Sequence, residues 1–437
     1  MIDLFAGCGG LSLGLEMAGF TPYFVNELNK DALATYLINR THSIGGRKFN
    51  EIDDLHVQDV NELKGQRLDK LKSDLKNLGL ITGKNSDLDL LVGGPPCQGY
   101  SGIGIRRSYS VDRASITSNR LYQRMAFLIE ALRPKIFLFE NVRGLLTSRW
   151  TSEGRTGEIW SDVFSEFVSL ANISGYFVRW SLVHAKNYGV PQNRPRVLMV
   201  GIRSDIAKIA SVDFTKIDYL VESLKGTAVA AGFLPNHGKF AAPDIIDLFS
   251  DLVDPEIENI LRSQNFPNRF ETLSYQSDPK TAAQMILRGF GSKKSDLVRD
   301  QQYSRHKKKI VDKFSAMLNS GGLIPEEFRT KKFAQRLLPP RWNNFGPYIT
   351  TTSLPDDYVH YCQPRSLTVR EWARLQTFPD WYQFTGKRTT GGLRRAGNPR
   401  EGLFDREVPR YTQIGNAVPV WLAEAIGIHF KKILSAA

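Results

Sequence analysis

Short apolar segments alternate with segments of helical periodicity in the first part of the chain. The apolar segments, which we interpret as strands, are residues 2–5, 23–26, 88–92, 136–140, 178–184 and 197–202. The segments whose apolar positions follow a helical period are residues 11–18, 30–39, 120–132 and 159–170. This alternation predicts an α/β domain with a parallel sheet and helices on its faces.

The alternation stops after Arg203, and the chain up to about residue 363 is irregular, with proline, asparagine and glycine at short intervals. Helical periodicity returns in residues 368–375 and 420–434. We therefore predict three parts. These are an α/β domain in residues 1–203, a smaller irregular domain in residues 204–363, and a C-terminal segment, residues 364–437, that completes the first domain.

The charge balance favours an anionic partner. The 437 residues carry a formal net charge of +13 at pH 7, and an excess of basic residues raises the affinity for phosphate polymers. The densest basic segment is residues 288–313, which also contains Phe290 and Tyr303. Nucleic acid is the first candidate partner, an acidic membrane surface is the second, and a solvated lysine-rich surface would need no partner.

The cysteines favour a reducing compartment, and the hydropathy pattern favours a protein without a membrane anchor. Cys8, Cys97 and Cys362 show none of the paired spacings of zinc sites or disulfide frameworks, so we expect no metal. No segment approaches the roughly 20 apolar residues that span a bilayer, and the chain does not open with a charged leader. We expect a cytoplasmic protein without a membrane anchor.

A glycine-rich segment, residues 3–10 (DLFAGCGG), lies between the first predicted strand and helix. Glycines at such a turn allow a ligand to approach the backbone closely. Glu27 ends the next predicted strand, where a carboxylate can accept hydrogen bonds from a ribose diol. The pair favours an adenosyl ligand, although a nicotinamide cofactor or a tightly packed corner would also suit the glycines. Cys8 fits a small packed residue better than a nucleophile.

A second motif, residues 93–99 (GGPPCQG), follows the predicted strand 88–92 directly. Ligand crevices in open α/β sheets lie at this carboxyl edge. The prolines stiffen the approach to Cys97 while glycines free the backbone on both sides, an arrangement that presents a reactive thiol. A free thiol has a pKa of about 8.5, so a nucleophile needs positive charge nearby, and Arg194 and Arg196 are candidates.

Glu140 ends another predicted strand and therefore lies near the same edge. A carboxyl group there can donate or accept a proton, and the alternatives are a helix cap or a salt-bridge partner. The two arginines of residues 192–196 (QNRPR) suit a planar polar ligand, or they are surface charge.

Together these motifs resemble, in order and along nearly all of the chain outside residues 204–360, those of the cytosine-5 DNA methyltransferases. The matching elements are residues 3–10, 95–97, 140–142, 192–196, 365–379 and 413–419. The resemblance implies a Rossmann-like S-adenosylmethionine-dependent methyltransferase sheet with helices on both faces. It also implies that residues 204–363 are a target-recognition domain for double-stranded DNA.

The resemblance further implies which residues bind S-adenosylmethionine. The loop residues that would line the pocket are Phe5, Gly7, Gly9, Gly10 and Leu11. Glu27 would bind the ribose, Asp59 would contact the adenine, and Pro95 would lie beside the ligand. Asn416 and Ala417 would return the C-terminal segment to the cofactor side. A surface loop is the alternative for Asp59, and a polar helix-entry turn is the alternative for Asn416 and Ala417.

The chemistry explains why these residue types occur together. Carbon 5 of cytosine is too weak a nucleophile to take a methyl group unaided, and attack of the Cys97 thiolate on carbon 6 would activate it. Glu140 would hold or protonate the ring nitrogen, and Arg196, with Arg194 close by, would stabilise charge on the ring oxygen. A stacked cytosine hides its ring faces, so the base must flip out. The stretch 100–120 supplies the candidate wedges Ser101, Ile103 and Arg106.

Two competing functions would use the same fold. One is an RNA cytosine-5 methyltransferase, which the large insert disfavours. The other is a DNA-binding regulator without catalysis, which the intact Cys97, Glu140 and Arg196 disfavour. A nicotinamide-dependent dehydrogenase would leave residues 95–97 unexplained. The resemblance is to bacterial modification enzymes, so we expect a monomer that works beside a restriction endonuclease of matching specificity.

Overall fold

The computed structural model describes residues 1–82, 85–96, 120–151, 153–209, 225–238, 241–329, 335–341, 357–390 and 407–436. The chain forms two compact units. The first contains Met1–His184, Pro195–Lys239 and Trp421–Ala437, and the second contains Ala185–Arg194 and Phe240–Val420. The chain therefore leaves the first unit and returns to it twice.

The first unit is built on one large sheet. The strands of this unit are β1 (Ile2–Leu4), β2 (Phe24–Asn26), β3 (Ser43–Ile44), β4 (Arg47–Lys48), β5 (His56–Val57), β6 (Ile81–Thr82), β7 (Asn85–Ser86), β8 (Leu90–Gly93), β9 (Ile136–Val142), β10 (Tyr176–His184) and β11 (Pro195–Arg203). Seven of them form the sheet, in the order β10-β11-β9-β8-β1-β2-β5. The pairs β3–β4 and β6–β7 are separate antiparallel ribbons.

The helices occur in both units. In chain order they are α1 (Gly10–Met17), α2 (Lys30–Ile38), α3 (Gly65–Asn77), α4 (Leu121–Leu132), α5 (Glu158–Ser174), α6 (Ser204–Ile209), α7 (Ile245–Phe249), α8 (Glu256–Ser263), α9 (Ala282–Arg288), α10 (Lys308–Asn319), α11 (Val369–Leu375), α12 (Arg410–Asn416) and α13 (Val420–Ala436). In the described parts of the chain, no helix is both long and apolar enough to cross a membrane.

Helices flank the sheet and bury it. Every residue of β1, β2 and β8 is buried, as expected of strands covered on both faces. Side chains of four helices share this core with the strands, among them Leu33, Leu71, Met125 and Phe167. The predicted α/β class is confirmed, and the helices that the sequence analysis missed in this unit are α3 and α6.

One strand differs from the predicted parallel sheet. β11 is antiparallel to both of its neighbours, β10 and β9, whereas the pairs β9–β8, β8–β1, β1–β2 and β2–β5 are parallel. The reason is the length of the connection before β11. Residues 185–194 are fewer than the dozen or more that a parallel crossover needs, so the chain turns back.

The second unit has short elements, including helices α7 to α12 and the parallel pair β12 (Arg336–Leu337) and β13 (Tyr358–Val359). Buried arginines cross-link it. Arg374 donates to Asp251 Oδ1 and to Asp380 Oδ2, each at 2.6 Å. Arg365 Nη2 donates to Glu371 Oε1 at 2.7 Å. A buried charge costs several kcal/mol unless it is paired, so these pairs fix the packing of α11 and its surroundings.

This buried network predicts an acid-sensitive second unit. Burial raises the pKa of Glu371, but the Arg365 guanidinium outweighs burial and the pKa falls to about 2. Burial, together with Arg365, lowers the pKa of His360 to about 3. Both folded pKa values lie below the unfolded ones, so the unfolded chain binds more protons at acid pH. The free energy of unfolding should therefore fall as the pH drops below about 6.5 for His360 and below about 4.5 for Glu371, by about 1.4 kcal/mol per pH unit and group.

Urea unfolding followed between about pH 7.5 and pH 5 checks this expectation. His360→Asn removes one titrating group, so its free energy of unfolding should fall less steeply over that interval than that of the wild type. Equal slopes for the two proteins would contradict the assignment.

Candidate active site

A sharp turn follows β1 and opens α1. Phe5, Gly7 and Gly9 all have positive φ values, 57°, 56° and 85°, and a left-handed backbone favours glycine. The amide N–H of Phe5 donates to Asn26 Oδ1 at 3.2 Å, and that of Ala6 donates to the carbonyl of Asn26 at 2.9 Å. The end of β2 therefore holds the turn in place.

Glu27 lies beside this turn. The amide N–H of Gly7 donates to its Oε2 at 2.8 Å, and that of Asn29 donates to its Oε1 at 2.7 Å. Burial raises the pKa of this carboxyl group, while the two backbone donors oppose the rise. A carboxylate has about four acceptor positions, so two remain for the hydroxyl groups of a ribose.

The space at the turn fits a ligand of this kind. A Cβ atom added to Gly7 would meet nothing within 4 Å, so the backbone faces open space there. Gly10 and Leu11 begin α1 directly behind the turn. Cys8, in the same turn, is buried, and burial raises the pKa of its thiol to about 12. Both properties suit a packing residue. The residues present thus fit a bound adenosyl cofactor.

Asp59 lies near the same edge of the sheet. It follows β5, which pairs with β2 so that Val57 stands opposite Asn26. The Asn26 side chain donates to the carbonyl oxygens of Val57 and Gln58, at 2.9 and 2.7 Å. Asp59 Oδ1 accepts from the amide N–H of Asn61 at 2.9 Å and caps the short helical turn that follows.

A buried arginine, Arg40, stabilises the turn of residues 5–9. Arg40 Nε donates to Glu16 Oε1 at 2.8 Å, its guanidinium carbon lies 3.6 Å from the ring centroid of Tyr36, and its Nη2 donates to the carbonyl of Gly9 at 3.3 Å. A Cβ atom on Gly9 would come within 2.9 Å of that guanidinium. Arg40 therefore requires glycine at position 9 and fixes its carbonyl.

Strand β8, which leads to Cys97, ends next to the turn of residues 5–9. Leu4 stands opposite Gly93 in the parallel register of β1 and β8. Asn141 Nδ2 donates to the carbonyl of Pro95 at 3.1 Å and fixes the chain just before residue 97. Cys97 itself and residues 98–119, which include the candidate wedges, lie outside the described residues.

Glu140 and Arg196 form an ion pair at this edge. Arg196 Nε lies 2.5 Å from Glu140 Oε1, and the two side chains are only 6% and 13% exposed. A Cβ atom on Gly94 would come within 2.8 Å of Glu140 Oε2, so the chain before Cys97 passes directly over the carboxylate. Sequence reasoning predicted both charged residues, and the structure brings them together.

Arg194 has different surroundings. It lies in the second unit, where its Nη2 donates to the carbonyl of Gly415 at 2.6 Å. Its neighbour Gln192 donates to the carbonyl of Leu375 at 2.7 Å. Asn416 and Ala417 also belong to the second unit, at the end of α12, and the carbonyl of Ala417 accepts from Gln376 at 3.1 Å.

Sequence reasoning missed Arg40 and Asn26 as residues of the site. Arg40 follows the predicted helix 30–39 and resembled a solvated charge at a helix end. Asn26 is the last residue of a predicted strand. Its side-chain hydrogen bonds to the carbonyls of Val57 and Gln58 depend on the pairing of β2 with β5, which the sequence did not predict. For Asn26 the one available signal was its position directly before Glu27, and no neighbouring motif marked Arg40.

Comparison with known proteins identifies the family of this chain. The family model of the C-5 cytosine-specific DNA methylases matches residues 1–432. Type II methyltransferase M.DdeI of Desulfomicrobium norvegicum is 29% identical, with 98% of this chain and 87% of that protein covered. Type II methyltransferase M.PspPI of a Psychrobacter species is 29% identical, with 100% and 80% covered. A solved structure described as a DNA modification methyltransferase from an E. coli prophage has the same fold, with a TM-score of 0.64, 23% identity and 99% of both chains covered.

The fold is that of an S-adenosylmethionine-dependent methyltransferase, and the turn of residues 5–9 fits an adenosyl cofactor. The chain belongs to the C-5 cytosine-specific DNA methylases. It is therefore an enzyme that methylates carbon 5 of cytosine in DNA, with S-adenosylmethionine as the methyl donor.

The position of Arg40 predicts a specific effect on cofactor binding. Arg40→Met removes a charged hydrogen bond to the carbonyl of Gly9, and we expect about 10- to 150-fold weaker binding of S-adenosylhomocysteine by calorimetry, since such a bond is worth about 1.5–3 kcal/mol. Arg47→Met is the matched control, because Arg47 is exposed on β4. A lower melting temperature with unchanged binding would assign Arg40 a purely structural role.

Proposed function

We propose that this methyltransferase modifies a cytosine within a defined DNA sequence, with Cys97 as the nucleophile and Glu140 and Arg196 as the groups that bind the base. The observation that carries the proposal is the buried Glu140–Arg196 pair, over which the chain passes immediately before residue 97. A thiol that follows Pro95 and Pro96 would lie near a carboxyl group and a guanidinium at the same sheet edge.

The proposed reaction begins with addition of the Cys97 thiolate to carbon 6 of a flipped cytosine. The Glu140 carboxyl group hydrogen-bonds or protonates the ring nitrogen, and Arg196 holds the Glu140 carboxylate and stabilises charge on the ring oxygen. When bound, S-adenosylmethionine would supply an electrophilic methyl group to the activated carbon 5 and would leave as S-adenosylhomocysteine. Loss of the proton from carbon 5 and expulsion of the thiolate then restore the aromatic ring.

The proposed cofactor residues follow the geometry of the turn. The proposed cofactor-binding residues that lie in the first unit are Phe5, Gly7, Gly9, Gly10, Leu11, Glu27, Asp59 and Pro95. Glu27 has acceptor capacity left for the ribose, and the open space at Gly7 supports ligand binding there. Asn416 and Ala417 are proposed from the family resemblance alone. The bond from Arg194 to Gly415 supports a positioning role for Arg194 rather than contact with the base.

We also propose the biological setting. Residues 204–363 would form most of the target-recognition domain, and the clustering of Trp421–Ala437 with the first unit supports a C-terminal segment that completes the catalytic domain. Relatives named type II methyltransferases support a bacterial modification enzyme that acts beside a cognate restriction endonuclease. The cytoplasmic location and the monomeric state are proposed from the sequence alone.

The decisive experiment is methyl transfer from tritiated S-adenosylmethionine to unmethylated genomic DNA, with an RNA substrate alongside. We expect label in DNA as 5-methylcytosine within one sequence, which bisulfite mapping then defines. Cys97→Ala should remove the label while it keeps the affinity for S-adenosylhomocysteine. Label in RNA alone, or an active Cys97→Ala variant, would contradict the proposal.

The ion pair gives a second expectation. Arg196→Lys keeps the charge but loses the planar fork of the guanidinium, so we expect kcat to fall about 10²–10³-fold with cofactor affinity unchanged. The matched control is Arg203→Lys, at the opposite end of β11, where the arginine pairs with Asp205. If both variants lose the same activity, a general loss of β11 packing, and not contact with the base, would explain the effect.

A further inference from the structure

Phe290 is the most exposed large apolar side chain in the described part of the chain, with 89% of its surface in solvent. It lies between Gly289 and Gly291, whose φ values are 88° and 84°. A Cβ atom added to either glycine would meet nothing within 4 Å. The glycines are therefore required by the left-handed backbone, which turns the chain sharply on both sides of the phenyl ring.

The loop that carries Phe290 is firmly anchored. Arg288, on its N-terminal side, stacks 3.5 Å from the centroid of Tyr275 and donates to Asp251 Oδ2 at 3.0 Å. On the C-terminal side, Asp296 Oδ2 accepts from the hydroxyl group of Ser292 at 2.9 Å and from the amide N–H of Lys293 at 2.7 Å. The phenyl ring therefore projects into solvent from a loop whose two ends are anchored.

The charges of this loop favour a polyanion. Asp296 is engaged by the backbone of the loop, and Asp278 Oδ1 accepts from the amide N–H of Lys294 at 2.6 Å. The ammonium groups of Lys293 and Lys294 form no ion pair with the described residues. The loop therefore presents one aromatic ring beside two lysine side chains, while its acids are turned to backbone donors.

Other apolar side chains are exposed close by in sequence. Met285 and Ile286 on α9 are 39% and 49% exposed, and Leu297 is 57% exposed. Single exposed apolar residues are ordinary on protein surfaces, but several in the same stretch of chain as an exposed aromatic ring favour a contact surface. For this enzyme, the established substrate that combines phosphates with flat apolar faces is DNA.

We propose that Phe290 inserts its ring between stacked bases of the substrate duplex, with Lys293 and Lys294 on the flanking phosphates. Apolar wedges of this kind unstack a base step, and neighbouring cations on phosphates offset part of the cost. The proposal rests on the proposed role of residues 204–363 in target recognition. It adds a DNA contact from the second unit to the chemistry at the sheet edge.

The test uses the full-length enzyme with S-adenosylhomocysteine and a duplex that contains the mapped target sequence. Phe290→Ala should weaken binding about 5- to 150-fold in fluorescence anisotropy, the range expected when one aromatic contact with a base is removed. Phe290→Trp should keep most of the affinity. Leu323→Ala, at a side chain that is 71% exposed in the same unit, is the control and should bind like the wild type.

A second readout locates the contact. With 2-aminopurine placed at successive positions of the duplex, wild-type enzyme should raise the fluorescence at one step outside the target cytosine, and Phe290→Ala should abolish that rise alone. If wild-type enzyme methylates DNA and Phe290→Ala binds and unstacks as the wild type does, this inference is wrong and the proposed function stands. If wild-type enzyme neither binds nor methylates DNA, the proposed function itself fails.

Discussion

Five strands of the first unit, β5, β2, β1, β8 and β9, pair in parallel, and this pairing decides where the chemistry can occur. Parallel strands bring their carboxyl ends to one edge, so the cofactor turn, Glu27, the chain before residue 97 and Glu140 meet there although they are far apart in sequence. The side chains of the strands are buried on both faces and leave no freedom of register. The site is consequently as rigid as the core beneath it.

The reversed direction of β11 matters equally. Because β11 is antiparallel to β9, its first residues lie at the carboxyl edge of the parallel strands, and Arg196 stands opposite Val142 beside Glu140. In a parallel β11 the same arginine would lie at the other edge of the sheet, about 20 Å away at about 3.3 Å per residue. The short connection of residues 185–194 thus determines whether the carboxylate of Glu140 has a partner.

The sequence predicted those parts of the fold and site that depend on local patterns. Apolar runs located every strand of the large sheet except β5, and residues at strand ends, such as Glu27 and Glu140, could be assigned to one edge from the sequence alone. Two features depended on tertiary packing instead. The direction of β11 followed from loop length, and the burial of Arg40 followed from its ion pair with Glu16. Helices α7 to α10 lie between irregular segments rich in proline, asparagine and glycine, which hid them from sequence reasoning.

The second unit has buried ion pairs beside its apolar core and one aromatic ring that projects into solvent. Arg288 and Arg374 are fully buried against Asp251, whereas Phe290 is exposed. Buried ion pairs contribute little net stability compared with apolar packing, but they tolerate few alternative arrangements because an unpaired buried charge is costly. A unit built in this way holds a projecting side chain in one position. Such positional definition is what a side chain needs if it is to meet one step of a duplex.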